Sequence, residues 1–149
     1  MLSVSAVFGQ ENDGLVDLQE NRVELKSYGA RLIVVNFWAL WCKPCVQEFP
    51  ELNQLYLRLK ARGVVVLGVS LSPSKDAVEK FLEKHKVDFP IVIDRQEHFA
   101  DKYRVSVLPT TVLIDSDNNI LYRYQGFSKT EMLKMENIME DYLQKNKQE

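Results

Sequence analysis

The sequence predicts an α/β fold in which helices flank both faces of a central mixed sheet. Apolar runs rich in β-branched residues, such as RLIVVNFW and GVVVLGVS, predict buried strands. The segments between these runs have apolar residues every three or four positions and predict amphipathic helices. The resulting order is βαβαβα followed by ββα, which is typical of a mixed sheet with helices on its two faces.

The first half of the chain supplies the hairpin, two strands and two helices. Weak alternation in LVDLQENRVELKSYG predicts a short N-terminal hairpin, and RLIVVNFW predicts the first central strand. The helix after the cysteines should kink at Pro50 and end near Gly63. GVVVLGVS predicts the next strand, and the helix after it has Ser72 or Ser74 as its N-cap.

The second half of the chain supplies the remaining strands and helices. FPIVID predicts a third buried strand and QEHFADKY a short helix. TTVLID and ILYRYQG, joined by the polar segment SDNN, predict an antiparallel hairpin. The Ser-x-x-Glu pattern of Ser128 and Glu131 predicts a capping box at the start of the last helix.

Composition limits the classes of protein to which the chain can belong. The 149 residues contain 46% hydrophobic and 27% charged residues, which is typical of one globular domain. The net charge of −2 and the absence of a basic block argue against nucleic-acid binding. The longest apolar run, Leu32–Trp41, is interrupted by Asn36 and is shorter than the roughly 20 residues of a membrane span.

The N-terminal segment, residues 1–14, fits two descriptions. It lacks a basic region and so is not a complete signal peptide. We expect its apolar part LSVSAVFG, followed by QEN, to be either a flexible terminus or the remnant of a removed leader. No repeat, low-complexity tract or linker interrupts the rest, so we expect residues 1–149 to form a single domain.

Cys42 and Cys45, the two cysteines of the chain, lie where a predicted strand meets a predicted helix. Cys42 is therefore at or just before the helix N-terminus, where unpaired N–H groups and the helix dipole favour a thiolate. Lys43 adds a nearby cation, and Pro44 suits the first helical turn because that turn needs no N–H from it. Cys45 is one turn on, close enough to attack a mixed disulfide on Cys42. This arrangement favours a redox couple.

Two other roles for the cysteine pair have less support. A structural zinc site needs four ligands, usually including a second close pair of Cys or His. The remaining candidates, His85 and His98, are far apart in sequence. A disulfide that closes so short a loop stabilises the fold by only about 1–2 kcal/mol through the unfolded state. We therefore expect no bound metal.

The segment VVNFWALWCKPCVQEFPEL resembles the active-site segment of thioredoxin-like proteins. Together with VLPTTVLIDSDNNILYRYQG it resembles the TlpA/ResA kind, which are membrane-tethered or periplasmic thiol-disulfide oxidoreductases that include reductants of cytochrome c maturation. The resemblance extends from Leu15 to Gly126 and, more weakly, into the last helix. It implies a thioredoxin fold with an N-terminal hairpin and an inserted strand–helix unit.

The resemblance also assigns roles to individual residues. It implies that Cys42 is the attacking thiol and Cys45 the resolving thiol. Pro109 matches the cis-proline that packs opposite the dithiol, and the backbone at Leu108 is expected to pair with a substrate chain. Trp41 matches an aromatic residue that shields the couple. The expected substrate-binding residues are Trp41, Lys43, Pro44, Leu108 and Pro109.

Asn36 and Glu48 mark a departure from thioredoxin itself. Thioredoxin has a buried Asp six residues before its first cysteine, and this chain has Asn36 there, which cannot act as a base. Glu48 matches an acidic residue of the TlpA/ResA kind and shares a helix face with Cys45, so it is a candidate acceptor of the Cys45 proton. The alternative is that Glu48 only stabilises the first helical turn through the dipole. Asn36 is expected to be a hydrogen-bonded core residue.

The expected function is the reduction of protein disulfides through the dithiol, for example in cytochrome c maturation. A general cytoplasmic thioredoxin-like reductase and a non-catalytic binding or chaperone module are the alternatives. Peroxiredoxins need Pro-x-x-x-Thr-x-x-Cys before the reactive thiol, and NFWALWC contains neither that Pro nor that Thr.

The resemblance also indicates partners and location. The expected partners are a protein substrate with a disulfide and an upstream dithiol protein that restores the reduced state. No organic cofactor, nucleic acid or membrane span is expected, and the chain should act as a monomer. The expected location is periplasmic or otherwise outside the cytoplasm, with the cytoplasm as the alternative.

Overall fold

The computed structural model describes residues 13–147 and contains one six-stranded sheet. Residues 1–12 and 148–149 lie outside the described part, so the expectation of a flexible or leader segment falls almost wholly there. The strands are β1 (Leu15–Asp17), β2 (Leu32–Trp38), β3 (Val64–Ser70), β4 (Ile91–Asp94), β5 (Thr110–Asp115) and β6 (Ile120–Gln125). The helices are α1 (Lys43–Leu59), α2 (Lys75–Lys84), α3 (His98–Lys102) and α4 (Lys129–Lys145).

The sheet is mixed, as the order of elements predicted. Its strand order is β1-β4-β3-β2-β5-β6. Strands β2, β3 and β4 run parallel, β5 runs antiparallel to β2, and β6 antiparallel to β5. We assign the inserted strand–helix unit to α2 and β4, which bring a third parallel strand beside β3. The α/β architecture with helices around a mixed sheet is therefore confirmed.

The N-terminal hairpin is present but short. β1 makes a single bridge with its returning arm, between Val16 and Arg22. The Asp17 carboxylate closes the intervening turn by accepting the backbone N–H groups of Gln19 and Asn21. The alternation was too weak to extend this pairing, and the chain continues into a 3-10 turn at Leu25–Tyr28. β1 pairs instead with the distant strand β4, in antiparallel orientation.

Alternation along β2 separates the two faces of the sheet. Val34, Asn36 and Trp38 point to the face covered by α1, α2 and α4, which we call the α1 face. Val35 and Phe37 point to the opposite face, which packs on α3 and which we call the α3 face. All seven residues of β2 are buried, as expected of a strand covered on both sides.

Side-chain caps fix the starts of two helices on the α1 face. Ser74 is the N-cap of α2 and accepts the backbone N–H of Ala77 at 3.2 Å. Ser128 caps α4 in the same way by accepting the N–H of Glu131 at 3.2 Å. The Glu131 carboxylate accepts a hydrogen bond from the Tyr122 hydroxyl. This contact ties the start of α4 to β6.

Gly68 allows close packing in the middle of β3. A Cβ at this position would lie 2.7 Å from Cδ1 of Ile91 and 3.1 Å from Cε2 of Phe89. It would also lie 3.3 Å from Nε1 of Trp38. Only a residue without a side chain lets these three groups approach the strand.

Among the described residues, no helix has the length and apolar character needed to cross a membrane.

Candidate active site

The cysteine pair lies at the N-terminus of α1, where the sequence placed it. Cys42 is the N-cap, and its Sγ accepts the backbone N–H of Cys45 at 3.3 Å. The two residues form a disulfide with their Cα atoms 5.3 Å apart. Cys42 retains 3% of its surface exposed and Cys45 none. Of the two sulfur-bearing residues, Cys42 is therefore the one that an incoming group can reach.

The first turn of α1 favours a thiolate on Cys42 once the disulfide is reduced. The N–H groups of this turn have no helical partner, and the positive end of the helix dipole lies beside the sulfur. Lys43 and Pro44 occupy the first positions of the helix, and both are exposed. The proline forfeits no hydrogen bond there, and the lysine carries a positive charge next to the dithiol.

The segment before β5 contains the predicted cis-proline. The Leu108–Pro109 peptide bond is cis, as expected. The Pro109 carbonyl accepts the N–H of Gly126 at 2.7 Å, and the Val107 carbonyl accepts the Thr110 hydroxyl at 2.6 Å. Among the described residues, neither backbone polar group of Leu108 has a hydrogen-bond partner. The backbone at Leu108 is thus free to pair with another chain.

Arg123 holds the connection that leads from α3 to this proline. Its guanidinium donates hydrogen bonds to the backbone carbonyls of Tyr103 and, at 3.0 Å, Arg104. Arg104 has a left-handed backbone, with φ of 53°. Sequence reasoning missed Arg123, because its partners are carbonyl groups about twenty residues away and leave no local pattern.

Exposed apolar side chains are present in the same two segments. Trp41, immediately before the dithiol, has 78% of its surface exposed, and Val107, two residues before Pro109, has 46%. The indole of Trp41 is therefore not buried over the disulfide, whereas the neighbouring Trp38 is entirely buried. A large exposed indole suits contact with a protein partner, so a substrate-binding role for Trp41 stays a prediction.

Glu48 lies on the buried side of α1, facing the sheet, and belongs to a polar cluster. Its Oε1 accepts hydrogen bonds from Nδ2 of Asn36 at 2.8 Å and from the Thr111 hydroxyl at 3.0 Å. Asn36 Nδ2 also donates to Oγ1 of Thr111 at 3.1 Å. Among the described residues Glu48 Oε2 has no hydrogen-bond partner, and the side chain has no exposed surface. Asn36 is thus a hydrogen-bonded core residue, as predicted.

Burial changes the acidity of this carboxyl group. It raises the pKa of Glu48 to about 7, because the charged form loses its hydration. The hydrogen bond from Thr111 and the nearby Tyr124 phenol act in the opposite sense and lower the pKa, but burial dominates. A carboxyl with a pKa near neutrality suits the transfer of a proton to and from a thiol at physiological pH.

The cluster is assembled by neighbouring strands of the sheet. Asn36 on β2 lies directly opposite Thr111 on β5, and Thr111 lies opposite Tyr124 on β6. Residues that face each other across strands point to the same face, so all three lie on the α1 face under Glu48. Sequence reasoning found Asn36 and Glu48 but missed Thr111 and Tyr124.

His85 and His98, the remaining candidates for zinc ligands, lie apart from the dithiol. His85 follows α2 and stacks on Phe81 with ring centroids 4.3 Å apart. His98 begins α3, on the opposite side of the sheet. Within residues 13–147 no three His, Cys, Asp or Glu side chains form a group that could hold a metal ion.

The sequence matches one family model over most of its length. The model is described as the AhpC/TSA family, and it matches residues 10–123. The chain belongs to the AhpC/TSA family. The match includes the dithiol, Glu48, Thr111 and the cis-proline, and of the residues in the polar cluster it leaves out only Tyr124.

Within this family, the chain is similar to proteins named thiol-disulfide oxidoreductase ResA. The protein of that name from Geobacillus kaustophilus is 43% identical over 106 residues, which are 71% of this chain and 61% of the relative. The one from Bacillus subtilis is 34% identical over 131 residues, which are 88% of this chain and 73% of the relative. The match to the Geobacillus kaustophilus protein covers less than two thirds of that protein's length. The predicted resemblance to the TlpA/ResA kind is confirmed.

A solved structure supports the fold of this AhpC/TSA family member. A candidate thiol:disulfide interchange protein DsbE from Chlorobium tepidum superposes with a TM-score of 0.75 and is 30% identical. The similarity covers 81% of this chain and 86% of that protein. The predicted thioredoxin fold is therefore confirmed.

Proposed function

We propose that this AhpC/TSA family member is a thiol-disulfide oxidoreductase that reduces protein disulfides. The observation that carries the proposal is the Cys42–Cys45 pair at the N-terminus of α1, with Cys42 the accessible partner. The unpaired backbone of Leu108, next to Pro109, gives an incoming chain a place to form hydrogen bonds. Exposed Trp41 and Val107 supply apolar contact area.

The reaction proceeds by two thiol–disulfide exchanges. In the first, the Cys42 thiolate attacks one sulfur of the substrate disulfide, a mixed disulfide forms, and the other substrate sulfur leaves as a thiolate. In the second, the Cys45 thiolate attacks the Cys42 sulfur, the Cys42–Cys45 disulfide forms, and the second substrate thiolate leaves. Two electrons pass to the substrate, and the protein ends oxidised.

Glu48 serves the second exchange. Cys45 must lose its proton before it attacks, and Glu48 lies one turn further along the same helix face. The buried carboxylate accepts this proton and returns it to the departing substrate thiolate. With a pKa of about 7, Glu48 is substantially ionised at neutral pH and remains a strong enough base to take the proton.

The partners follow from this cycle. The substrate is a protein with an accessible disulfide, and the ResA name of the relatives supports a place in cytochrome c maturation outside the cytoplasm. Because the cycle leaves the pair oxidised, a second dithiol protein must reduce it again. No organic cofactor or metal takes part. The chain acts as a monomer.

A Cys45→Ser variant tests this proposal directly. Without the resolving thiol, the mixed disulfide on Cys42 persists and can be isolated from a whole-cell extract, which contains the proteins of both compartments. We expect disulfide-linked adducts that reducing agent releases and that contain cytochrome c or its assembly proteins. The Cys42→Ser variant is the matched control and should trap nothing.

Two results would contradict the proposal. One is an ordinary pKa of about 8.5 for the Cys42 thiol together with no reduction of insulin disulfides, which indicates a binding or chaperone module. The other is adducts that consist only of cytoplasmic proteins, which indicates a general cytoplasmic reductase.

A further inference from the structure

The two carboxylate oxygens of Glu48 have different surroundings. Oε1 accepts the Asn36 amide N–H and the Thr111 hydroxyl, whereas Oε2 is buried without a partner. A carboxyl group in water has no such asymmetry, because both oxygens are hydrated. The strands of the sheet, which carry Asn36 and Thr111, impose it here.

The direction of each hydrogen bond identifies the oxygen that remains available. The Asn36 amide nitrogen can only donate, and it donates to both Glu48 and Thr111. The Thr111 hydroxyl accepts this bond and can therefore direct its own proton to Oε1. With two donors aimed at Oε1, a proton on the carboxyl group belongs on Oε2.

We propose that Asn36 and Thr111 are positioning residues that hold Oε1 of Glu48 and leave Oε2 as the oxygen that takes the proton from Cys45. This inference rests on the proposed function, because it concerns the step in which Cys45 resolves the mixed disulfide. It gives Asn36 a role that its comparison with thioredoxin did not suggest. Thioredoxin has a carboxylate base at this position, whereas here the Asn36 amide orients the carboxylate of Glu48.

Tyr124 completes the surroundings of the carboxylate. Its phenol faces Glu48 from β6 and is almost entirely buried, with no regular hydrogen bond at its hydroxyl. Burial, and after it the charge of Glu48, raises the pKa of Tyr124, so the phenol stays neutral beside the carboxylate. The Glu131 carboxylate on α4 acts on Tyr124 in the same direction.

Among the described residues, the side chains around Glu48 are uncharged. Cys45 lies on the same helix, Asn36 on β2, Thr111 on β5 and Tyr124 on β6. The Glu48 pKa is set by burial and by the neutral Thr111 and Tyr124 hydroxyls, and by no charged side chain of the described residues. The ionised form is therefore stabilised by neutral donors, and loss of one donor should raise the pKa further.

Substitution of Thr111 separates positioning from simple packing. Thr111→Val keeps the shape of the side chain and removes the hydroxyl, whereas Thr111→Ser keeps the hydroxyl and is the matched control. A mixed disulfide between Cys42 and a fluorescent peptide thiol is prepared, and the rate of peptide release is measured from pH 5 to pH 9. The Glu48 titration is followed in parallel by NMR of carboxyl-labelled reduced protein.

The expected result is a shift of the pH midpoint to higher pH. Thr111→Val should raise the Glu48 midpoint by about one unit and slow release at pH 7 roughly fivefold, because fewer carboxyl groups are ionised. Thr111→Ser should behave as the wild type. In a Glu48→Gln background, Thr111→Val should cause no further change in the pH profile, since the group that it acts on is absent.

Three outcomes would overturn the inference. One is a Thr111→Val profile that superposes on the wild type, and another is a slowing that is equal at every pH and persists with Glu48→Gln. If Thr111→Val does not fold, Thr111→Ala also removes the hydroxyl and replaces it with the same upward shift expected, and an unshifted midpoint there is the third. A wild-type protein that fails to release the peptide contradicts the proposed function instead, and the NMR titration then decides the positioning role alone.

Discussion

Glu48 and Asp94 are two buried carboxylates on different elements, and their hydrogen bonds differ. Glu48 has no exposed surface and Asp94 has 1%. Both oxygens of Asp94 are used, since Oδ1 accepts the N–H of Phe99 at 3.3 Å and Oδ2 that of Ala100 at 2.8 Å. Glu48 has both of its donors on one oxygen and leaves the other unpaired.

This difference separates a structural carboxylate from the one proposed to accept a proton. Burial raises the pKa of both groups, so the direction of the shift does not distinguish them. Asp94 joins the end of β4 to the first turn of α3 and has a backbone donor on each oxygen. Glu48 has one oxygen without a donor among the described residues, and this is the oxygen proposed to take the proton. Occupancy of the oxygens is therefore a better guide to function than the pKa alone.

The largest effect is expected on the rate of resolution. Glu48→Gln should slow release from a Cys42 mixed disulfide by roughly a hundredfold to a thousandfold, because proton transfer from Cys45 loses its acceptor. Single-turnover release of a fluorescent peptide at pH 8 measures this rate. Asp94→Asn, the matched buried carboxylate, should leave it unchanged. Equal slowing in both variants would remove the functional distinction between the two groups.

A second effect is expected in the pH dependence of stability. Burial raises the pKa of Glu48 to about 7 from 4.5, so between these values the folded protein keeps a proton that the unfolded chain releases. The free energy of unfolding should therefore fall as the pH rises through this window, by on the order of 3 kcal/mol from this group. Urea unfolding of the oxidised protein at pH 4.5 and pH 8 measures the change.

Glu48→Gln isolates this contribution. The amide does not titrate, so the variant should lack the part of the slope that Glu48 causes, whereas the part caused by Asp94 remains. Wild type and Glu48→Gln with parallel stability profiles from pH 4.5 to pH 8 would show that the Glu48 pKa is close to that of an exposed glutamate.

The smallest effect concerns the structural member of the pair. Asp94→Ala leaves two buried backbone N–H groups without acceptors and should lower the free energy of unfolding by about 2 kcal/mol. Thermal unfolding measures this loss. The pH midpoint of peptide release should stay at its wild-type value. A shifted midpoint would mean that Asp94 is coupled to the dithiol across the sheet.

Features with a short sequence spacing were predictable from the sequence. Cys42 and Cys45 lie one helical turn apart, and Glu48 is one further turn along, so helix geometry alone places them on one face. The cis bond at Pro109 was expected from the resemblance of VLPTTVLID and is present. The buried position of Asn36 followed from the continuous apolar run around it.

Contacts between strands were not predictable in the same way. Thr111 and Tyr124 join the cluster because of the strand register, and register depends on pairing between distant segments. The β5–β6 ladder also has an irregularity between Leu113 and Ile114, which shifts all pairs beyond it. A hairpin inferred from alternation alone gives no information about such a shift.

The same limitation explains the N-terminal hairpin and Asp94. Local alternation predicted that β1 would pair with its own returning arm, whereas most of its pairing is with β4, about seventy-five residues later. Asp94 accepts backbone groups five and six residues ahead, across a turn in which Glu97 has φ of 58°. No helix-capping pattern of adjacent residues describes this arrangement.

The position of Arg123 links substrate docking to local opening of the sheet. β6 is an edge strand with one neighbour, and edge strands separate from a sheet more readily than central ones. Arg123, on this strand, holds the carbonyl groups of Tyr103 and Arg104, and the following segment carries Leu108. Fraying of β6 would therefore loosen the segment proposed to receive the substrate while the central strands and the dithiol helix keep their structure. In the proposed reaction, recognition and electron transfer thus depend on parts of the molecule with different local stability.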